Sequence, residues 1–211
     1  MDWHQAYDEP ESFLHRRLVL VQQEIRDALD DRRGASTRAV SICAGQGRDL
    51  IEVLVGHPDG RRVEARLVEL DAENAATAQA AAAAGGLSGV SVVITDAGVT
   101  DAYVGAVPAH LVLACGVFGN VSDADIATTI AALPQLCAAE ARVIWTRHRR
   151  PPDLTPTIRR WFEEAGFREA AFHAPDTTFF TVGVHTLTAP PVPLRAGKRL
   201  FDFVGFDALA P

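Results

Sequence analysis

Gly45-Gln46-Gly47 interrupts an apolar, strand-like run, Val40-Ser41-Ile42-Cys43, and opens directly into a helical pattern at Arg48-Asp49-Leu50. A turn with so little side-chain bulk at the carboxyl end of a first strand lets a ligand approach the backbone. It also seats that ligand on the N-terminus of the following helix. Two glycines alone are a weak signal that a purely structural loop would also give, but their place between strand and helix favours a ligand. A dinucleotide fingerprint needs a small residue three positions past the second glycine, so that helix and strand close around a pyrophosphate. Leu50 stands there, which argues against NAD(P) or FAD and leaves room for a nucleoside without phosphates. Glu69, about twenty residues past Gly47, ends the second apolar run, where a carboxylate can take both ribose hydroxyls. Asp71 follows, and reads better as a helix N-terminal carboxylate favoured by the dipole.

The elements that must position these groups alternate along the chain. Strand-like runs at 38–43, 64–70, 89–95, 109–115 and 141–147 are separated by helical patterns or connections, among them 47–56 and 72–84. This pattern predicts βαβ units and a parallel sheet covered on both faces. Thr155 reads as an N-cap, Pro156 as the first helical residue and Gly166 as the stop, with Ile158, Trp161, Phe162 and Ala165 on one buried stripe. The runs 167–173 and 178–187 are joined by too few residues for a parallel crossover, so the sheet is expected to end in an antiparallel hairpin. Leu14, Leu18, Val21, Ile25 and Leu29 make a helical stripe across 12–30, a lid or flanking helix. The fold class is therefore α/β: a Rossmann-like, doubly wound, mostly parallel sheet ending in a hairpin. Residues 1–37 form an N-terminal helical segment, 38–188 the core and 189–211 a tail whose three Phe cover apolar surface.

Composition narrows the function. With 211 residues, 48% of them apolar, the chain can bury one core, and a formal charge of −7 disfavours general affinity for nucleic acid or anionic membranes. No run reaches a membrane span, and Met1-Asp2-Trp3-His4 is unlike a secretion signal, so a cytoplasmic protein is expected. Cys43, Cys115 and Cys137 lack zinc-site or disulfide spacing and read as reduced, mostly buried thiols, with no metal site.

The segments 40–50, 67–80, 92–97 and 111–116, in that order and with the closing hairpin, resemble the successive motifs of class I S-adenosylmethionine-dependent methyltransferases, over roughly residues 38–188. The resemblance implies a seven-stranded sheet and S-adenosylmethionine as cofactor, with S-adenosylhomocysteine as product. It puts the methionine part at Cys43, Ala44, Gly45 and Gly47, the ribose at Glu69 with Asp71 beside it, and the adenine at Asp96 and Ala97. Backbone close to the ligand follows at Cys115 and Gly116. Ser41 stands where the family usually has an acid, and Cys43 where a glycine is common.

Methyl transfer from a sulfonium is an in-line displacement that mainly needs alignment and exclusion of water, with a base only where the acceptor holds a proton. The acceptor pocket is expected beyond the fourth and fifth strands. Phe118 and Asn120 are candidates there, as is Arg147 at the head of an Arg147–Arg150 cluster that holds an anion or sits in solvent. His148 is the candidate base or a partly solvated imidazole. Trp3, Tyr7 and His15 line the pocket or pack as a lid. The reading is a methyltransferase acting on a small molecule. The alternatives are a cofactor-binding protein of the same fold without methyl transfer, and an NAD(P)-dependent oxidoreductase.

Overall fold

The computed structural model describes residues 7–176 and 178–205. Seven strands, β1 (Thr37–Ile42), β2 (Val63–Glu69), β3 (Val90–Ile94), β4 (Ala109–Ala114), β5 (Cys137–His148), β6 (Phe167–His173) and β7 (Phe180–Leu187), form one sheet in the order β3-β2-β1-β4-β5-β7-β6. β1 pairs in parallel with β2 and β4, whereas β7 runs antiparallel to both β5 and β6. The doubly wound sheet and its terminal hairpin are thus present. The chain order reverses between β1 and β4, and the carboxyl ends of those two strands bound a crevice.

Strand side chains alternate between two cores. In β4, Leu111 and Leu113 face one side and Val112 and Ala114 the other. Helix α1 (Phe13–Asp30) buries Val21, Ile25, Ala28 and Leu29 in the same cluster as Leu50 and Leu54 of α2 (Arg48–Gly56) and Ala78 of α3 (Ala72–Ala84). Its body is therefore a flanking helix on that face, tied to β6 by Glu24 and His173 at 2.6 Å. Helices α4 (Asp123–Ala132) and α5 (Thr155–Glu164) cover the other face.

Three expectations are corrected. β5 begins at Cys137 because the chain already pairs with Ala109 there, with an irregularity in register and Glu140 at φ 59° before regular pairing resumes. Thr155 is the first helical residue of α5 and not its cap. Leu154 holds the cap position without a side-chain bond, and Asp153 Oδ1 instead accepts from the Thr155 N–H at 2.9 Å and its hydroxyl at 2.8 Å. In the tail Leu200 and Phe201 are buried, but Phe203 is 53% exposed and Phe206 lies outside the described residues.

That tail is stitched across the carboxyl edge of the sheet. Thr100 N–H donates to Lys198 O at 2.9 Å and Leu200 N–H to Gly98 O at 2.7 Å, while the Val204 and Gly205 N–H groups donate to Asn120 O at 3.0 and 3.1 Å. A Cβ at Gly98 would lie 2.2 Å from Phe201 O, so the strap and the loop after β3 touch backbone to backbone.

The far core is organised around Trp145, fully buried and in ring contact with Phe118, Phe162, Phe172 and His185. Its indole N–H donates to His185 Nδ1 at 3.1 Å, which fixes the ring. Gly183 on β7 leaves the space this ring occupies, since an added Cβ would lie 2.2 Å from Trp145 Cε2. Gly183→Ala is expected to destabilise the fold by about 1–3 kcal/mol, the usual cost of overpacking a rigid core. Denaturant unfolding checks this, and a variant as stable as the wild type would contradict it.

Candidate functional site

The turn after β1 places Cys43, Gly45 and Gly47 at φ of 51°, 56° and 68°. L side chains rarely adopt such angles, which accounts for the glycines and makes Cys43 a strained exception. The two glycines differ in surroundings. An added Cβ at Gly45 would meet nothing within 4 Å, whereas at Gly47 it would meet Leu67 Cδ2 at 2.6 Å and Ile51 Cδ1 at 2.7 Å. Gly45 therefore faces open space, and Gly47 lets α2 pack against β2.

Glu69 holds this turn. Its Oε2 accepts from the Gly45 N–H at 2.6 Å, and its Oε1 from the Leu70 and Asp71 N–H groups at 2.9 Å each. A carboxylate with three backbone donors is fixed in orientation. Asp71 accepts from the Asn74 N–H at 2.8 Å and caps α3, in line with its helix-terminal reading. After β3, Asp96 accepts from the Gly98 N–H at 2.7 Å with one oxygen and from Arg199 Nη1 at 2.6 Å with the other. The C-terminal strap thus supplies a cation to the carboxylate expected at the adenine. Ala97 is buried, and its carbonyl accepts from the Tyr103 hydroxyl at 2.6 Å. Burial first, then Glu69 and Asp96, push the Cys43 thiol up to about 12, so it stays protonated and is no nucleophile.

On the other side of the turn stands a group the sequence did not single out. Asp49, in the first turn of α2, gives one oxygen to the Leu50 N–H at 2.8 Å, and burial raises its carboxyl to about 6. Arg17 on α1 donates to the Tyr7 hydroxyl at 2.8 Å, and among the described residues it forms no ion pair. Arg17, Asp49, Tyr7 and Cys115 feel one another's charge. His15 Nδ1 donates to Tyr7 O at 2.8 Å, and Arg48 pairs with Asp8 at 2.6 Å, so the start of α1 is anchored over the glycine turn. Trp3 lies outside the described residues. The signal for Asp49 is tertiary: its environment comes from α1, about thirty residues earlier in the chain.

Across the crevice, β4 is followed by Cys115, whose thiol burial pushes well up, and Gly116, whose N–H donates to Thr146 Oγ1 at 2.8 Å. An added Cβ at Gly116 would meet nothing within 4 Å. Phe118 differs from expectation. Its ring is fully buried against Trp145 and Phe162, and only its carbonyl turns outward, to accept from Arg147. Asn120 Nδ2 donates to Gly116 O at 2.6 Å and braces the loop. His148 Nδ1 accepts from the Arg150 N–H at 3.3 Å, and burial, then Arg147 and Arg150, lower its pKa, leaving a neutral imidazole near pH 7. Among the described residues no cluster of three or more His, Cys, Asp or Glu could hold a metal ion, and no helix is long and apolar enough to cross a membrane.

No family model and no curated protein matches the sequence. Solved structures do match in shape. An O-methyltransferase family protein from Burkholderia thailandensis superposes with a TM-score of 0.66 at 15% identity, over 86% of this chain and 58% of that one. Magnesium protoporphyrin IX methyltransferase from Synechocystis PCC 6803, with bound S-adenosylmethionine, gives 0.65 at 13% identity over 87% and 88% of the two chains. A TehB-like S-adenosylmethionine-dependent methyltransferase from Corynebacterium glutamicum gives 0.57 at 15% over 77% and 86%. This chain thus spans little more than half the length of the first of these. With the strand order and the closing hairpin, the likeness fixes the architecture: the chain has the class I methyltransferase fold.

Proposed function

We propose that the protein is an S-adenosylmethionine-dependent methyltransferase acting on a small-molecule acceptor. The observation that carries this reading is the glycine turn at the strand-order switch point, held by Glu69, with open space above both Gly45 and Gly116. A dinucleotide fits less well, because Leu50 is fully buried at the position where its fingerprint needs a small residue.

The residues present fit this cofactor. Glu69 keeps lone pairs beyond its three N–H donors and can take the ribose hydroxyls. Asp96, steadied by Arg199, takes the adenine amino group. Asp49 and Arg17 form a pair of opposite charges not joined to each other, which suits the ammonium and carboxylate of the methionine end, with Tyr7 beside them. The cofactor, when bound, supplies an activated methyl on a cationic sulfur. The chain's part is to align that sulfur with an acceptor lone pair and keep water out, and the half-buried Cys115 and the α1 segment over the turn serve the latter. A dedicated base enters only for an acceptor that still holds its proton, and the neutral His148 is the candidate.

Titration calorimetry with S-adenosylmethionine, S-adenosylhomocysteine and NAD tests the binding, and transfer of labelled methyl to candidate acceptors tests the activity. Binding of NAD alone would overturn the proposal. Glu69→Ala is expected to weaken S-adenosylhomocysteine by about 1.5–3 kcal/mol, the scale of bonds to a charged group. Asp49→Asn should cost S-adenosylhomocysteine about tenfold and leave 5′-methylthioadenosine, which lacks the amino-acid end, unchanged. The pH dependence follows from the raised Asp49 carboxyl. It meets the ammonium only when ionised, so wild-type affinity for S-adenosylhomocysteine should fall as pH drops below about 6. The Asn variant should lack that fall, and equal pH profiles in the two proteins would refute the assignment.

A further inference from the structure

Arg147 is the next-to-last residue of β5 at the carboxyl edge of the sheet, on the acceptor side of the crevice. Its side chain leaves the strand on the same face as Trp145 and crosses to the loop after β4, where Nη1 donates to Phe118 O. That carbonyl is the one hydrogen-bond partner it has among the described residues. Its Nε is buried and makes no bond. Several arginines of the chain are matched with acids: Arg48 with Asp8, Arg142 with Asp31, Arg159 with Glu169 and Arg199 with Asp96. Among the described residues Arg147 is not, and neither are Arg66 and Arg149, but each of those two has a pair of carbonyl partners where Arg147 has one. The charges it feels most are Asp123 and Asp153, yet neither forms an ion pair with it, and Asp153 is committed to the start of α5.

A guanidinium cannot give up its proton, so a half-buried one without a counter-ion is an uncompensated charge. The surroundings make the deficit larger. α4 and α5, each ten residues long, both begin at this edge and turn their positive ends toward it. Gly119 opens the loop next to His148, whose Cδ2 would be 3.8 Å from an added Cβ. Burial lowers the affinity of Arg147 for its proton, against the opposing pull of Asp123 and Asp153, as expected for a cation held partly out of water.

We propose that Arg147 binds an oxyanion of the methyl acceptor, so that the acceptors of this protein are small molecules bearing a carboxylate or a phosphate. The inference rests on the proposed methyltransferase reading for its location, and on Arg147 alone for its chemistry. An anionic acceptor would also be drawn toward the positively charged donor across the crevice, which favours the same class.

The test uses the full chain saturated with S-adenosylhomocysteine and three probes of similar shape: benzoate, phenyl phosphate and the neutral benzamide, titrated by NMR. At least one of the two anions should bind about tenfold or more tighter than benzamide, the scale of a charge-assisted pair, and the stronger anion identifies the oxyanion. Arg147→Gln should remove that preference while leaving S-adenosylhomocysteine affinity unchanged. Arg147→Lys, which keeps the charge but not the fork, should retain part of it. If Arg147→Gln does not fold, the Arg147 Nε–H resonance of the wild type, lost in Arg147→Lys, must move on adding the anion and stay still on adding benzamide. Benzamide binding as tightly as both anions, no binding of either anion, or a preference that survives in Arg147→Gln overturns the proposal. If the wild type fails to bind S-adenosylhomocysteine, the methyltransferase reading falls, and the same titrations on the protein alone decide the role of Arg147.

Discussion

The bond from the Gly45 N–H to Glu69 joins the turn after β1 to the end of β2, and the rest of the site is measured from it. Without a fixed acceptor at that point, a turn with three residues at positive φ has little to hold it in one shape. With it, the same carboxylate also ties down the first backbone groups after β2, so the two strand ends move as one body. The sheet supplies the rigidity underneath, since β1 is flanked on both sides by parallel partners and its residues Ala39, Val40 and Ile42 are fully buried.

Around that bond the crevice divides electrostatically. On the β2–β3 side stand Glu69 and Asp96, the second balanced by a cation from the C-terminal strap. On the α1–α2 side stand Asp49 and Arg17, opposite in sign and, among the described residues, without an ion pair. Beyond β4 and β5 stands Arg147, its side chain bonded to a single carbonyl among the described residues. In the proposed reading each region would meet a different part of a ligand: sugar and base, amino-acid end, and acceptor. The same division explains why the cysteines are inert. Cys43 and Cys115 lie beside carboxylates in poorly hydrated positions, and both effects hold them as thiols.

Much of the architecture was legible in the sequence because its signals are local. The boundaries of α3 are marked by a capping Asp71 and by Gly85, and they fall where the pattern puts them. The hairpin is announced by a connection too short to cross over. One miss is local and the others are tertiary. Thr155 looks like a cap, but its own N–H and hydroxyl are taken by Asp153 two residues earlier, and it becomes the first helical residue. Phe118 follows a strand end, where ligand contacts are common, yet the aromatic core around Trp145 captures its ring. Asp49 reads as an ordinary first-turn acid until α1 lays Arg17 and Tyr7 over it. Arg199 carries no local signal at all, because its partner Asp96 is brought to it by the strap.

The account stands or falls on the crevice between Gly45, Glu69 and Gly116 receiving a nucleoside. A crystal structure grown with S-adenosylhomocysteine tests this most directly. The account predicts density in that crevice, with the ribose hydroxyls on Glu69 and the amino-acid end between Arg17 and Asp49. Density elsewhere on the molecule, or a crevice filled by the chain's own side chains at saturating ligand, would contradict it.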